Sequence, residues 1–196
     1  MLLCPKPCWA FENRALLLVG FAGAFRRSEV VRLRLEDLAF SDAGIIVTLR
    51  KSKTDQEAEG REVGLPWGQH SETCPVRALR RWLDIAAIEQ GYVFRRIDRH
   101  TGKPLEDPVS GYWVARVVQA AVQAAGGDPA LYAGHSLRSG LATAAAERGA
   151  SEPRLWNRLG TKASSRYAAT YGVPRFFRTM PRLWPGSERV VEHEGR

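Results

Sequence analysis

ALLLVGFAGAFRRSEVVRLRLEDL, from Ala15 to Leu38, is the stretch that decides how this chain is read. From Glu12 to Ala24 the apolar residues Ala15, Leu16, Leu17, Val19 and Phe21 cover most of the circumference, which predicts a buried helix ended by Gly23. Ser28 then reads as the N-cap of a short second helix, EVVRLRLEDL, with Val30, Val31, Leu33 and Leu35 apolar and Arg32 and Arg34 outward. Between the two lies a junction, Gly23 to Ser28, that carries Arg26 and Arg27. At a helix start, one guanidinium can grip an anionic oxygen bidentately while Glu29 orients it. Adjacent arginines also read as ordinary solvated charge, and the pair alone does not choose.

Downstream, GIIVTLR (Gly44 to Arg50) is β-branched and REVGLP (Arg61 to Pro66) alternates, so the two predict a hairpin whose long tip is KSKTDQEAEG. Lys51 and Lys53 sit on that tip. A lysine there serves as a solvated edge guard, or, with its pKa lowered by neighbouring arginines, as a general acid. Cys74-Pro75 opens a helix that runs towards Gly91. A loop is expected from Arg95 to Pro108, and then an alanine-rich helix from about Val109 to Ala125. GGDPALYAGHSLRSG (Gly126 to Gly140) reads as a loop before a helix, LATAAAERG, that stops at Gly149. Ser151 restarts a helix, and Pro174, Pro181 and Pro185 prevent a long terminal one. The pattern is α+β: mostly helical, with one small antiparallel sheet and no strand-helix alternation.

Length and composition agree with one globular domain: 196 residues, 44% hydrophobic and 26% charged. The net charge of +8 is supplied mostly by arginine, whose planar fork suits phosphate, so polyanions and above all nucleic acid are the expected partners. The three cysteines form no metal-ligand spacing with the four histidines, and an odd count argues against a disulfide framework, which suggests a reducing, cytoplasmic setting. Pro5, Pro7, Glu12, Asn13 and Arg14 interrupt the apolar opening before it can span a bilayer, and no signal-peptide pattern precedes it.

Two further segments hold chemistry-bearing groups. In GHSLRSG, His135 and Arg138 lie three apart at a helix N-terminus, where the helix dipole favours an anion; an incidental histidine in a surface cap is the plainer reading. In GTKASSRYAATYG (Gly160 to Gly172), Tyr167 and Tyr171 lie four apart among Thr161, Lys162 and Arg166. Arginines, a lysine, a histidine and a tyrosine together are the parts of a phosphoryl transfer that needs neither metal nor cofactor. No carboxylate cluster suited to magnesium and no Walker lysine loop is present in the sequence.

The order of RSE, SKTD, HSLR and a late tyrosine resembles the catalytic domain of the tyrosine recombinases, the phage integrase family, over about Arg14 to Phe177. The resemblance implies the family's mixed helical DNA breaking-rejoining fold with a small sheet. It selects Arg26 as a phosphate clamp with Arg27 as its neighbour, Lys53 as the general acid, His135 as the hydrogen-bonding base and Arg138 as the second clamp. Lys51, Arg27 and Arg166 are expected to contact DNA. Gly160-Thr161 stands where the family has Gly-His, and counting from that glycine puts the nucleophile one residue short of Tyr171. A one-residue insertion places Lys162 in the histidine position and Tyr171 as nucleophile, with Tyr167 as the alternative. The implied reaction cuts and rejoins double-stranded DNA through a 3′-phosphotyrosyl link, in a synapse with other protomers, without membrane or nucleotide cofactor. The family also implies a cytoplasmic, nucleoid-associated protein of bacterial or phage type. The chain is expected to be a single catalytic domain, 1–196, with a core of about 12–178, a flexible tail from 179 and no N-terminal core-binding domain. A catalytically degenerate DNA-binding module and a type IB topoisomerase-like enzyme share these features.

Overall fold

The first helix, α1 (Cys8–Ala22), is buried on nearly every side because its apolar residues do not keep to one stripe; Ala15, Leu16, Leu17 and Val19 are all within 1% of full burial. A helix of that kind needs partners all round, and α1 has α3 (Pro75–Ala86), α4 (Gly111–Ala124) and α5 (Ser136–Ala146) against it. The computed structural model describes residues 8–50, 61–133 and 136–146. Between α1 and α3 come α2 (Arg27–Arg32), the 3₁₀ turn Leu35–Asp37, and an antiparallel sheet in the order β1 (Leu38–Ser41), β2 (Gly44–Leu49), β3 (Arg61–Pro66). β4 (Arg95–Ile97) and β5 (Pro104–Pro108) form a second, two-stranded hairpin.

One core joins these elements. Ile45 and Val47 of β2 pair with Leu65 and Val63 of β3, and all four face inward against the helices, with Ile46 on the outer side. Trp82 of α3 is fully buried and donates its indole N–H to the Val93 carbonyl at 2.7 Å, so its one polar atom is satisfied. Each such Leu, Val or Phe contributes roughly 1.5–3 kcal/mol through burial. Among the described residues no helix is long and apolar enough to cross a membrane.

The α+β expectation matches, and so does the β2–β3 hairpin at both ends. Several local expectations are corrected. The N-cap of α2 is Arg26, not Ser28: Glu29 at N3 accepts the Arg26 backbone N–H at 2.7 Å, which does the work assigned to a serine hydroxyl. The second helix stops at Arg32, and Leu38 onward becomes a third strand, because Leu33 takes extended backbone and the chain turns to pair with β2. Residues 95–108 are not a loop but the β4–β5 hairpin, and its tip is closed by Asp98, which accepts from His100 N, Thr101 N and Thr101 Oγ1. The helix expected from Leu141 begins earlier, at Ser136, and so takes in Leu137 and Arg138. Cys74 is free and buried.

Three helices end on the same Schellman motif, in which the residue past the helix takes left-handed backbone. After α4 it is Gly126 (φ 80°), but after α1 and α3 it is alanine, Ala24 (φ 51°) and Ala87 (φ 49°). The bonds are Phe25 N to Gly20 O and Ala24 N to Phe21 O, and Ile88 N to Leu83 O and Ala87 N to Asp84 O. α3 therefore ends several residues before Gly91. A left-handed alanine is strained by about 1 kcal/mol, and Ala87 is exposed. Ala87→Gly is therefore expected to raise stability by roughly 0.5–1 kcal/mol in denaturant melts, whereas an ordinary mid-helix Ala→Gly lowers it.

Candidate functional site

The turn after α1 aims the chain into the site. Phe25 is fully buried, and its ring lies where a Cβ on Gly23 would fall, 2.4 Å away, so Gly23 is what permits the tight reversal. The reversal leaves Arg26 as the N-cap of α2, 55% exposed at its side chain, with NH1 3.2 Å from Glu29 Oε1. Glu29 is shielded, and its Oε2 accepts both the Arg26 backbone N–H and Arg61 NH2, the latter at 3.0 Å. Arg61 comes from the first position of β3, on the same face as the buried Val63 and Leu65.

Arg138 arrives from the other side. α5 approaches α1 closely because Gly20 has no Cβ: one placed there would lie 2.7 Å from Leu137 Cδ1. Leu137 fills that space, and the next residue is Arg138. Burial lowers the Arg138 pKa, and the positive charges of Arg26 and then Arg61 lower it further, with Glu29 acting in the opposite direction. Residues from α2, β3 and α5, far apart in sequence, thus share one field. Two guanidinium groups, those of Arg26 and Arg61, hold one carboxylate, and the Arg138 charge lies within their field. Such a set favours an anion with several oxygens, because each fork can donate to two of them.

Among the residues singled out from the sequence, the structure pairs Arg26 with Glu29 and leaves Arg138 within electrostatic range of both. Arg27 does not join them: it is exposed and its side chain lies along Gly111, with Nε 3.1 Å from the Cβ position, at the start of α4. Lys51, Lys53, His135, Thr161, Lys162, Arg166, Tyr167 and Tyr171 lie outside the described residues. The base of the hairpin that carries Lys51 and Lys53 is described. Its last pair is Leu49 with Arg61, and Arg50 makes an ion pair with the buried Asp37. Arg61 is the member that sequence reading missed. The signal was present in the alternation of REVGLP, where Arg61 shares its phase with Val63 and Leu65 and so faces inward.

The sequence model described as the phage integrase family matches residues 2–171. This chain belongs to the phage integrase family. It is 45% identical over 136 residues to an integrase/recombinase XerD homolog of Selenomonas ruminantium, a match that covers 69% of this chain and 40% of the relative. It is 24% identical over 161 residues to recombinase Cre of Escherichia phage P1, covering 76% of this chain and 45% of Cre. The chain therefore spans less than half the length of these relatives. Its fold is similar to that of XerH site-specific recombinase, solved in a pre-cleavage complex with its difH substrate (TM-score 0.57, 15% identity, 88% of this chain and 42% of XerH). XerA recombinase is also similar (TM-score 0.51, 17% identity, 93% and 64%). The α+β fold expected from the sequence is thus shared with these recombinases.

Proposed function

We propose that this chain is the catalytic domain of a DNA strand transferase that cuts and rejoins double-stranded DNA without a metal ion or nucleotide. The observation that carries the reading is the Arg26–Glu29–Arg61 set of ion pairs with the Arg138 charge in the same field. Arg26 and Arg138 would hold the non-bridging oxygens of the scissile phosphate and stabilise the charge that grows on them in the phosphorane. The Tyr171 hydroxyl attacks phosphorus, its proton passing to His135, and the bond from phosphorus to the 5′ oxygen breaks as Lys53 protonates that oxygen. The products are a 3′-phosphotyrosyl link and a free 5′-hydroxyl. A hydroxyl on another strand reverses the steps, so the bond energy is kept and no nucleotide is consumed. Lys162 takes the place of the family's histidine beside the phosphate, and Lys51, Arg27 and Arg166 contact the DNA backbone. XerH bound to its substrate supports duplex DNA as the partner. The synapse of several protomers follows from the same reading.

A second reading rests on Thr161, which stands where the family has histidine: a DNA-binding module of the same fold without strand-transfer activity. A nicked duplex that loses a short fragment on cleavage separates the two. The enzyme accumulates a covalent protein-DNA adduct resistant to denaturation, whereas the binding module shows only salt-sensitive affinity.

A further inference from the structure

We propose that Arg61 is a positioning residue for the phosphate clamp: it holds Glu29 and, through Glu29, the Arg26 guanidinium, and so couples the base of the β2–β3 hairpin to the site. The proposal rests on the strand-transfer reading above and adds to it a residue that the motif order does not select.

Arg26 is the exposed member of the set, so an arginine alone at that place would have many rotamers to lose on gripping a phosphate. Glu29 removes that freedom only if its own carboxylate is fixed. One of its oxygens, Oε2, is held twice, by the Arg26 backbone N–H and by Arg61 NH2, and this leaves Oε1 aimed at Arg26 NH1. Arg61 is suited to the task because strand pairing sets its position: Leu49 lies opposite it, and Val63 and Leu65 anchor the same face in the core. The side chains of Arg61 and Glu29 are both largely shielded, 18% and 17% exposed.

The hairpin gains too. Its two strands leave the sheet from Arg50, paired with Asp37, and from Arg61, paired with Glu29. Arg50 and Arg61 are thereby tied to Asp37 and Glu29, in the same part of the chain as Arg26.

A double-mutant cycle of Arg26→Ala and Arg61→Ala tests this, read on the single-turnover rate of adduct formation from a nicked duplex and on the affinity for that duplex. Arg61→Ala is expected to slow adduct formation by about 10- to 100-fold, the scale of a misplaced catalytic group. In the Arg26→Ala background it is expected to cost almost nothing more, since there is no longer a guanidinium to place. Arg61→Lys recovers only part of the rate, because an ammonium cannot hold the carboxylate as a planar fork does. Losses that multiply in the double variant overturn the proposal. If the wild-type chain binds the duplex but forms no adduct, the strand-transfer reading fails while the proposal is decided by affinity: non-additive losses support it and multiplicative losses overturn it. A chain that binds no DNA overturns both. Should Arg61→Ala fail to fold, the same cycle with Arg61→Lys decides in the same way.

Discussion

Arg138→Ala is expected to slow covalent adduct formation by about 10²- to 10³-fold, the usual cost of removing one preorganised donor from a developing oxyanion. The cost is high because Arg138 is placed before the ligand arrives. Leu137 seats α5 on Gly20 of α1, and the guanidinium is held partly desolvated beside two like charges. Burial and those neighbours all disfavour its charged form. A phosphate reverses that imbalance, and most strongly in the transition state, when its oxygens carry the greatest charge. Arg138→Lys is expected to recover little, since one compact ammonium replaces a fork. DNA affinity should fall much less than the rate, with the salt dependence of binding reduced by about one phosphate contact. Single-turnover rates beside binding isotherms at several salt concentrations measure both. Equal losses in rate and affinity would mean that Arg138 binds the ground state and the transition state alike.

Glu12→Gln is expected to flatten the pH dependence of stability. Glu12 is 1% exposed inside α1, and burial raises its carboxyl from the ordinary 4.5 to about 8, a rise only partly opposed by the hydrogen bond it accepts from Arg95 N at 2.7 Å. The folded protein therefore keeps a proton that the unfolded chain gives up. Below pH 4.5 both states hold it and folding carries no penalty from this group; from there up to about pH 8 the unfolded state is favoured progressively, and above that the loss is complete. The difference across that window is on the order of 5 kcal/mol, and the Gln variant, which can still accept from Arg95 N, does not lose it. Urea melts of both proteins at pH 5 and pH 8 check this. Wild type should weaken relative to the variant as pH rises, and parallel changes would show that Glu12 does not hold its proton.

Much of the arrangement could be read from residue types and spacing, for identifiable reasons. The buried α1 followed from apolar residues spread around its circumference, and β2 and β3 from β-branched and alternating residues either side of a polar stretch. What failed was local and had a common cause, because tertiary partners overrode side-chain preference. Ser28 looked like the cap, but Glu29 reached back to Arg26 N–H. Arg95 to Pro108 looked irregular because proline stands at both ends of β5, yet Arg95 pairs with Pro108 and Ile97 with Pro104. Arg26 and Arg138 were legible as charged groups at helix starts, and only the fold could bring them to one field. Glu12 read merely as an interruption of an apolar run, since no sequence pattern shows that a carboxyl group is buried against a strand N–H donated by a residue more than eighty positions later.

In the proposed strand transfer the arginine site presents a phosphodiester to Tyr171. The most direct measurement is the covalent adduct formed on a nicked duplex by wild type, Tyr171→Phe and Tyr167→Phe. An adduct is expected with wild type and Tyr167→Phe and none with Tyr171→Phe, at equal DNA affinity; one that persists in Tyr171→Phe overturns the assignment of the nucleophile.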